Sequence, residues 1–218
     1  MIHPDTEMRF ISTEIGFGVV ATRFIPRGTL IWTLCQFDRI YSQTDAASLP
    51  AAYHDVLGRY AYLDVDANYV LCWDAGRYIN HSCDPAMLGV DRGFEIAVRD
   101  LQPGDPVTCE YGSLNLTGKL ICRCQSPLCR GTIGGSDVLR LGTEWDARVE
   151  KALEFANKVP QPLLAFSTNA KLFNEYANGL KSIPSYLEHY AGPEVVGDTM
   201  LDSGQPWSMA GQALKKGV

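Results

Sequence analysis

Cys122, Cys124 and Cys129 stand in the spacing C-x-C-x4-C, within a stretch from 122 to 135 where cysteine, arginine, glycine and serine displace apolar residues. A segment this short of core-forming side chains needs a staple. Thiolates at these separations can converge on one zinc ion with tetrahedral geometry. Three thiolates do not close a structural site, so a fourth ligand must come from elsewhere. Cys35, Cys72, Cys83, Cys109 or a histidine could supply it. Cys83 has the best setting, the polar, turn-like run Tyr78-Ile79-Asn80-His81-Ser82-Cys83-Asp84-Pro85. Cys35 and Cys72 sit in apolar runs and read as core residues.

A metal rather than a disulfide framework suits the remaining signals. The start, Met1-Ile2-His3-Pro4-Asp5, lacks the basic and apolar regions of a secretory leader. No apolar run is long enough to span a bilayer, so no membrane partner is expected. A reducing compartment, cytoplasmic or nuclear, is expected, with delivery into a host cell also compatible; clustered cysteines there bind metal more often than they pair. The net charge is -6. No basic stripe is present, which argues against direct nucleic-acid binding. The acidic balance would suit a lysine-rich partner, although a modest net charge also serves solubility alone.

From Arg9 to Tyr111 the chain is a series of short β-branched and aromatic runs cut by turn residues. Strands are predicted at Arg9–Ser12, Gly18–Ala21, Thr29–Leu34, Tyr60–Leu63, Tyr69–Cys72, Met87–Val90, Phe94–Arg99 and Val107–Glu110. One short helix is predicted over Asp45–Leu57. Ile25-Pro26-Arg27-Gly28 and Leu101-Gln102-Pro103-Gly104-Asp105 are turns with proline and glycine at the positions that demand them. After Ser136 the texture becomes helical. Thr143-Glu144-Trp145-Asp146 has capping-box spacing, and Trp145, Val149, Leu153 and Ala156 share a helix face. Pro160 and Pro162 separate this helix from a second one carrying Leu163, Phe166, Phe173 and Tyr176, with Gly179 as its cap. A third short helix is predicted over Ser185–Tyr190 before Gly192-Pro193, and the chain beyond Gly197 reads as loose.

Four motifs in chain order resemble the SET-domain protein lysine methyltransferases. Gly16-Phe17-Gly18 with the run to Gly28 resembles the family's opening G-x-G, strand and turn. Tyr78 to Pro85 resembles its N-H-S-C-x-P loop. Gly104-Asp105-Pro106-Val107-Thr108-Cys109-Glu110-Tyr111 resembles its G-E-E-L-T-x-D-Y segment. Cys122-Arg123-Cys124 with Cys129-Arg130-Gly131 resembles its post-SET zinc motif. The resemblance covers residues 9 to 135. It implies a mainly β (α+β) fold of small sheets with a pseudoknot, in which the Asn-His-Ser loop and the Glu-Tyr segment lie side by side. On this basis the SET domain spans 1–118, a post-SET zinc segment 119–135 and a helical C-terminal extension 136–218. That extension could cover the substrate groove, form a dimer or dock a partner.

The resemblance also implies the chemistry. Zinc would be held by Cys83, Cys122, Cys124 and Cys129. S-adenosylmethionine would be held by Gly16, Phe17, Gly18, Arg77, Tyr78, Asn80, His81 and Tyr111, with Ile133 over the adenine. His81 reads as a structural histidine ordering its loop rather than a general base. Tyr111 would be the central catalytic residue, with Tyr60 or Tyr62 lining the lysine channel, since aromatic faces suit an ammonium. Methyl transfer to an amine needs close, aligned reactants and a neutral lysine, whose ordinary pKa of ~10.4 must fall. Cys109 stands where the family often has Phe or Tyr, a position associated with product state. Glu110 replaces the usual Asp, and Ala86 the usual Asn after the proline. The expected substrate is a protein with an accessible lysine, histone tails being the family's best-known target. The competing readings are a non-catalytic SET-type module binding a basic peptide, a zinc-ribbon nucleic-acid binder, and a hydrolase built on Cys83 and His81.

Overall fold

A computed structural model describes residues 1–91, 93–116 and 118–190. Twelve short strands form four small sheets. β1 (Thr6–Ser12), β2 (Gly16–Ala21), β10 (Pro106–Cys109) and β7 (Asn80–His81) lie in the order β1-β2-β10-β7. β3 (Leu30–Thr33), β9 (Phe94–Ala97) and β8 (Met87–Asp91) make a second sheet, and β4 (Arg39–Tyr41), β6 (Tyr69–Leu71) and β5 (Ala61–Leu63) a third. β11 (Lys119–Ile121) and β12 (Thr132–Gly134) form a hairpin that encloses the cysteine-rich segment. The helices are α1 (Gln43–Ser48), α2 (Ala51–Tyr60), α3 (Val138–Ala156) and α4 (Ala170–Ala177).

Every strand expected from the sequence forms, within one or two residues at its ends except β1, which starts three residues earlier than expected, at Thr6. The helix expected over Asp45–Leu57 is two helices. Leu49 takes an extended ψ of 150°, as a residue before proline prefers, and Pro50 restarts the chain as α2. The long C-terminal helix begins at Val138, not at Thr143, whose side chain is an exposed mid-helix hydroxyl. Its start is fixed upstream, where Asp137 accepts from the Gly134 N–H at 3.3 Å and a 3₁₀ turn at Gly135–Asp137 leads straight in. The second helix is shorter than expected. Leu163 precedes a 3₁₀ turn at Leu164–Phe166, which leaves Phe166 52% exposed, and α4 then buries Phe173 and Tyr176. Gly179 ends α4 with φ of 67°, the left-handed conformation that favours glycine. The third element, Tyr186–His189, is a 3₁₀ turn capped by Ser185. Gly192-Pro193 and the segment from Gly197 lie outside the described residues.

Two cores matter for the site. Leu30, Leu88, Val90, Phe94, Ile96 and Val98 from the β3-β9-β8 sheet pack against Trp145, Val149, Ala152, Leu153 and Ala156 of α3. Helix α3 is therefore built into the sheet. Gln161 reinforces this by accepting from the Leu30 N–H at 2.9 Å and donating to the Gly28 carbonyl at 2.8 Å. The apolar face of α3 is consumed inside the molecule, so that face is not the one with which a second copy could pair. The other core sets Val19, Ala21, Ile25 and Ile31 against Ile79, Met87, Ala97, Val107 and Cys109. It fixes β7 beside β10 behind the G-x-G strand.

Candidate active site and metal centre

β7 and β10 are parallel neighbours although twenty-four residues separate them in the chain, with β8 and β9 lying between. Thr108 pairs with Asn80 and Cys109 with His81, and the Ser82 N–H donates to the Cys109 carbonyl at 3.0 Å. Two residues on, Tyr111 folds against the same loop. Its N–H donates to His81 Nδ1 at 3.2 Å and its hydroxyl donates to the Ile79 carbonyl at 2.7 Å. Burial, aided by Cys109, pushes the Tyr111 hydroxyl well above the ordinary tyrosine range, so it stays neutral.

The G-x-G strand meets this junction through Asn80. The side-chain amide donates to the Phe17 carbonyl at 3.0 Å. Gly16 turns into the strand with φ of 81°. At Gly18 a Cβ would stand 2.7 Å from Asn80 Nδ2 and 2.9 Å from Ile11, so glycine is what permits the approach. Gly18→Ala is accordingly expected to push the Asn80 amide off Phe17 at a cost of ~1–3 kcal/mol of overpacking. Thermal unfolding should then show Gly18→Ala less stable than the wild type, and an unchanged unfolding temperature would contradict the clash.

The aromatic residues separate into two groups. Phe17, Tyr78 and Tyr60 form a chain, with centroids 6.3 Å apart for Phe17–Tyr78 and 5.5 Å for Tyr60–Tyr78. Tyr62 instead packs edge-on against Trp32 at 6.1 Å, deeper in the protein. Arg77 ties the loop entrance by donating to the carbonyls of Trp73 and Asp74. Ile133 is buried with Leu120 and Cys83, and Tyr111 packs beside them.

The sulfurs converge. Cys83 Sγ lies 3.7 Å from Cys122 Sγ, and the Cys83 N–H donates to Cys124 Sγ at 3.5 Å. A tetrahedral zinc with Zn–S near 2.3 Å spaces its sulfurs by ~3.8 Å, so this separation fits the ion. His81, Cys83, Cys122 and Cys124 each offer a ligand atom, all within 4.8 Å of one another. Cys129 Sγ sits 3.8 Å from the Cys122 carbonyl, in hydrogen-bonding reach of the Cys122 and Cys124 thiols. Burial pushes the Cys124 thiol up, but the backbone amides of Cys83 and Ser126 more than offset it and hold it down at about 7. Cys35, Cys72 and Cys109 are buried elsewhere, in the cores.

His81 has a different task from the sulfurs. Burial, with the Arg130 guanidinium nearby, pulls its pKa down to about 4, so the ring is neutral. With Nδ1 accepting from Tyr111, the proton resides on Nε2, which lies 3.3 Å from Cys83 Sγ. The imidazole thus bridges the Tyr111 backbone and a metal-type thiol.

Sequence reasoning missed Arg130. Its guanidinium grips the fully buried Glu110 with two bonds of 2.9 and 2.7 Å and reaches Asp137 at 3.2 Å. Its N–H also donates to Cys83 Sγ at 3.3 Å. Glu110 in turn accepts from the Gly112 N–H at 2.8 Å, which fixes the turn carrying Tyr111. The available signal was Glu110 itself, an acid closing an apolar strand, which needs a cation when buried.

A family model described as "SET domain" matches residues 16–112. The chain therefore carries a SET domain. Two named relatives extend the likeness. Histone-lysine N-methyltransferase ash1 of Drosophila melanogaster is 28% identical over 148 residues, covering 58% of this chain and 6% of that protein. A histone-lysine N-methyltransferase of Schizosaccharomyces pombe, H3 lysine-9 specific, is 31% identical over 163 residues, covering 58% of this chain and 32% of that protein. The chain thus spans about a third or less of the length of these relatives. No helix among the described residues is long and apolar enough to cross a membrane.

Proposed function

We propose that this protein transfers a methyl group from S-adenosylmethionine to a lysine side chain of another protein, a histone tail being the leading candidate. The observation that carries the proposal is the junction at Tyr111. One aromatic hydroxyl is anchored to Ile79, beside the Asn80 amide that holds the G-x-G strand and above a cluster of thiols. Relatives named as histone-lysine methyltransferases lend support.

In this scheme Gly16, Phe17, Gly18, Asn80 and His81 hold the cofactor, with Arg77 and Tyr78 bracing the loop and Ile133 closing one wall. The cofactor supplies an electrophilic methyl group. Tyr111 orients the lysine nitrogen, and Tyr60, stacked on Tyr78, lines the channel on the cofactor side, with Tyr62 deeper. Cys83, Cys122, Cys124 and Cys129 hold a zinc ion that staples the 119–135 segment onto the SET domain. His81 Nε2–H serves the Cys83 sulfur as a donor, which leaves Cys129 as the fourth ligand. Helix α3, with α4 beside it, acts as a brace under the β3-β9-β8 sheet.

Incubating the protein with methyl-labelled S-adenosylmethionine and either histones or total lysate tests the proposal. Label should enter protein, and no labelled protein in either mixture would defeat it. Cys109 is buried, and its small side chain leaves more room than the tyrosine or phenylalanine common at this position. More than one methyl per lysine is therefore expected on mass spectra of the product. Strictly monomethylated lysine on every good substrate would contradict that expectation.

A further inference from the structure

Glu95 on β9 stands opposite Trp32 of β3 and Gly89 of β8. Its strand neighbours Phe94 and Ile96 belong to the core under α3, so alternation turns Glu95 to the other face of the sheet. Trp32 on the paired strand carries Tyr62 against its ring at 6.1 Å. Glu95 Oε2 is sealed from solvent with no hydrogen-bond partner among the described residues, and so is Trp32 Nε1. The titratable groups that feel the Glu95 charge are Tyr62 of β5, Cys72 after β6, Cys109 of β10 and Tyr186 of the C-terminal turn. Burial pushes all four upward, so each is neutral at physiological pH and none can neutralise a carboxylate. A buried carboxylate oxygen without a donor is costly. A donor from outside would supply the partner this oxygen lacks, and Tyr62 and Cys109, which feel the Glu95 charge, are among the residues assigned above to the proposed lysine pocket.

We propose that Glu95 receives the ε-ammonium group of the substrate lysine and takes the proton that this nitrogen must lose. The N–H bond breaks, an O–H bond forms on the carboxylate, and the electron pair stays on nitrogen. This inference rests on the methyltransferase proposal above. Burial pushes the Glu95 carboxyl up to about 8, so it is mostly protonated at neutral pH and becomes the accepting carboxylate as pH rises through that value.

The test uses the full chain and a small mimic of the lysine tip. n-Butylammonium should raise the unfolding temperature of the wild-type protein, whereas n-butanol should not. Glu95→Gln should erase the difference. Equal protection of Glu95→Gln, or no protection of the wild type, overturns the inference. In the labelling assay Glu95→Gln should be slower by about a hundredfold or more, the scale of one lost acid–base group, with S-adenosylmethionine binding unchanged. An undiminished rate also overturns it. A wild-type protein that labels nothing would instead remove the methyltransferase proposal, and the butylammonium result would still decide the role of Glu95. Folding of the variant is not in doubt on physical grounds. A carboxyl whose folded pKa is raised costs stability as pH climbs from the ordinary carboxylate range through about 8, and glutamine is spared that loss. Glu95→Gln should therefore match or exceed the wild type in stability above that pH.

Discussion

Under the proposed function, Tyr111→Phe should cut methyl transfer by about a hundredfold while S-adenosylmethionine still binds. The ring remains to fill its place among Cys83, Leu120 and Ile133. What is lost is one hydroxyl and its 2.7 Å bond to the Ile79 carbonyl. Removing one preorganised hydrogen-bonding group at a reacting centre costs ~2.7–4 kcal/mol of transition-state stabilisation, or ~10²–10³ in rate. The Ile79 carbonyl also loses a donor, so stability should fall by ~1 kcal/mol. Single-turnover kinetics beside a cofactor titration separate the two effects. An unaltered rate would place the reacting lysine elsewhere; lost cofactor binding would recast Tyr111 as a structural residue.

Removing metal should be the most disruptive treatment of all. Residues 122–131 have few buried apolar side chains, and their contacts to the rest of the protein run through Cys83, Glu110 and the Leu120–Ile133 pair. If Cys83, Cys122, Cys124 and Cys129 hold an ion as proposed, its removal frees the four thiols and releases Arg130 from its fixed position against Glu110. Structural zinc contributes well over ~3 kcal/mol in small domains. At ~2–4 °C per kcal/mol for a protein of this size, chelation should lower the unfolding temperature by ~6–12 °C or more. Cys122→Ser should do the same and should bind less than stoichiometric zinc by elemental analysis. A full complement of zinc in Cys122→Ser, or a melting curve indifferent to chelator, would contradict the assignment. Because Arg130 links Cys83 Sγ to the Glu110–Tyr111 turn, activity should fall in step with metal content.

Much of the fold was legible because its strands are β-branched and apolar. Gly18–Ala21 and Phe94–Ala97 declare themselves by composition, and the helical face Trp145, Val149, Leu153 and Ala156 by period. Asn80–His81 did not read as a strand. Its two polar residues pair only because β10 arrives beside them from far along the chain. Thr132–Gly134 and Lys119–Ile121 are equally silent, since they form a hairpin around a segment without a periodic pattern. The start of α3 was misread because capping-box spacing at Thr143 is cheap to find by chance, whereas the real start depends on Asp137 and its contacts with Gly134, Arg130 and Arg140.

At the site, residues with a motif around them were legible and residues acting across elements were not. The three clustered cysteines suggested a metal by spacing, the setting of Cys83 and the family resemblance added a fourth sulfur, and Cys83, Cys122 and Cys124 do lie together. Arg130 was visible only as part of a motif, because its role depends on a carboxylate twenty residues away being buried. Glu95 gave one faint signal, an acid inside an apolar run. Such a residue on a strand usually points to solvent, and only the packing of the third sheet over Trp32 and Tyr62 makes it an interior group.

Mass spectrometry of a lysate incubated with this protein and S-adenosylmethionine addresses the central claim most directly. Added methyl groups should map to lysine side chains, and should be absent when Tyr111→Phe replaces the wild type. Methyl groups found only on other residue types, or none on any protein from a complete lysate, would mean that the Tyr111 junction does not serve lysine methylation.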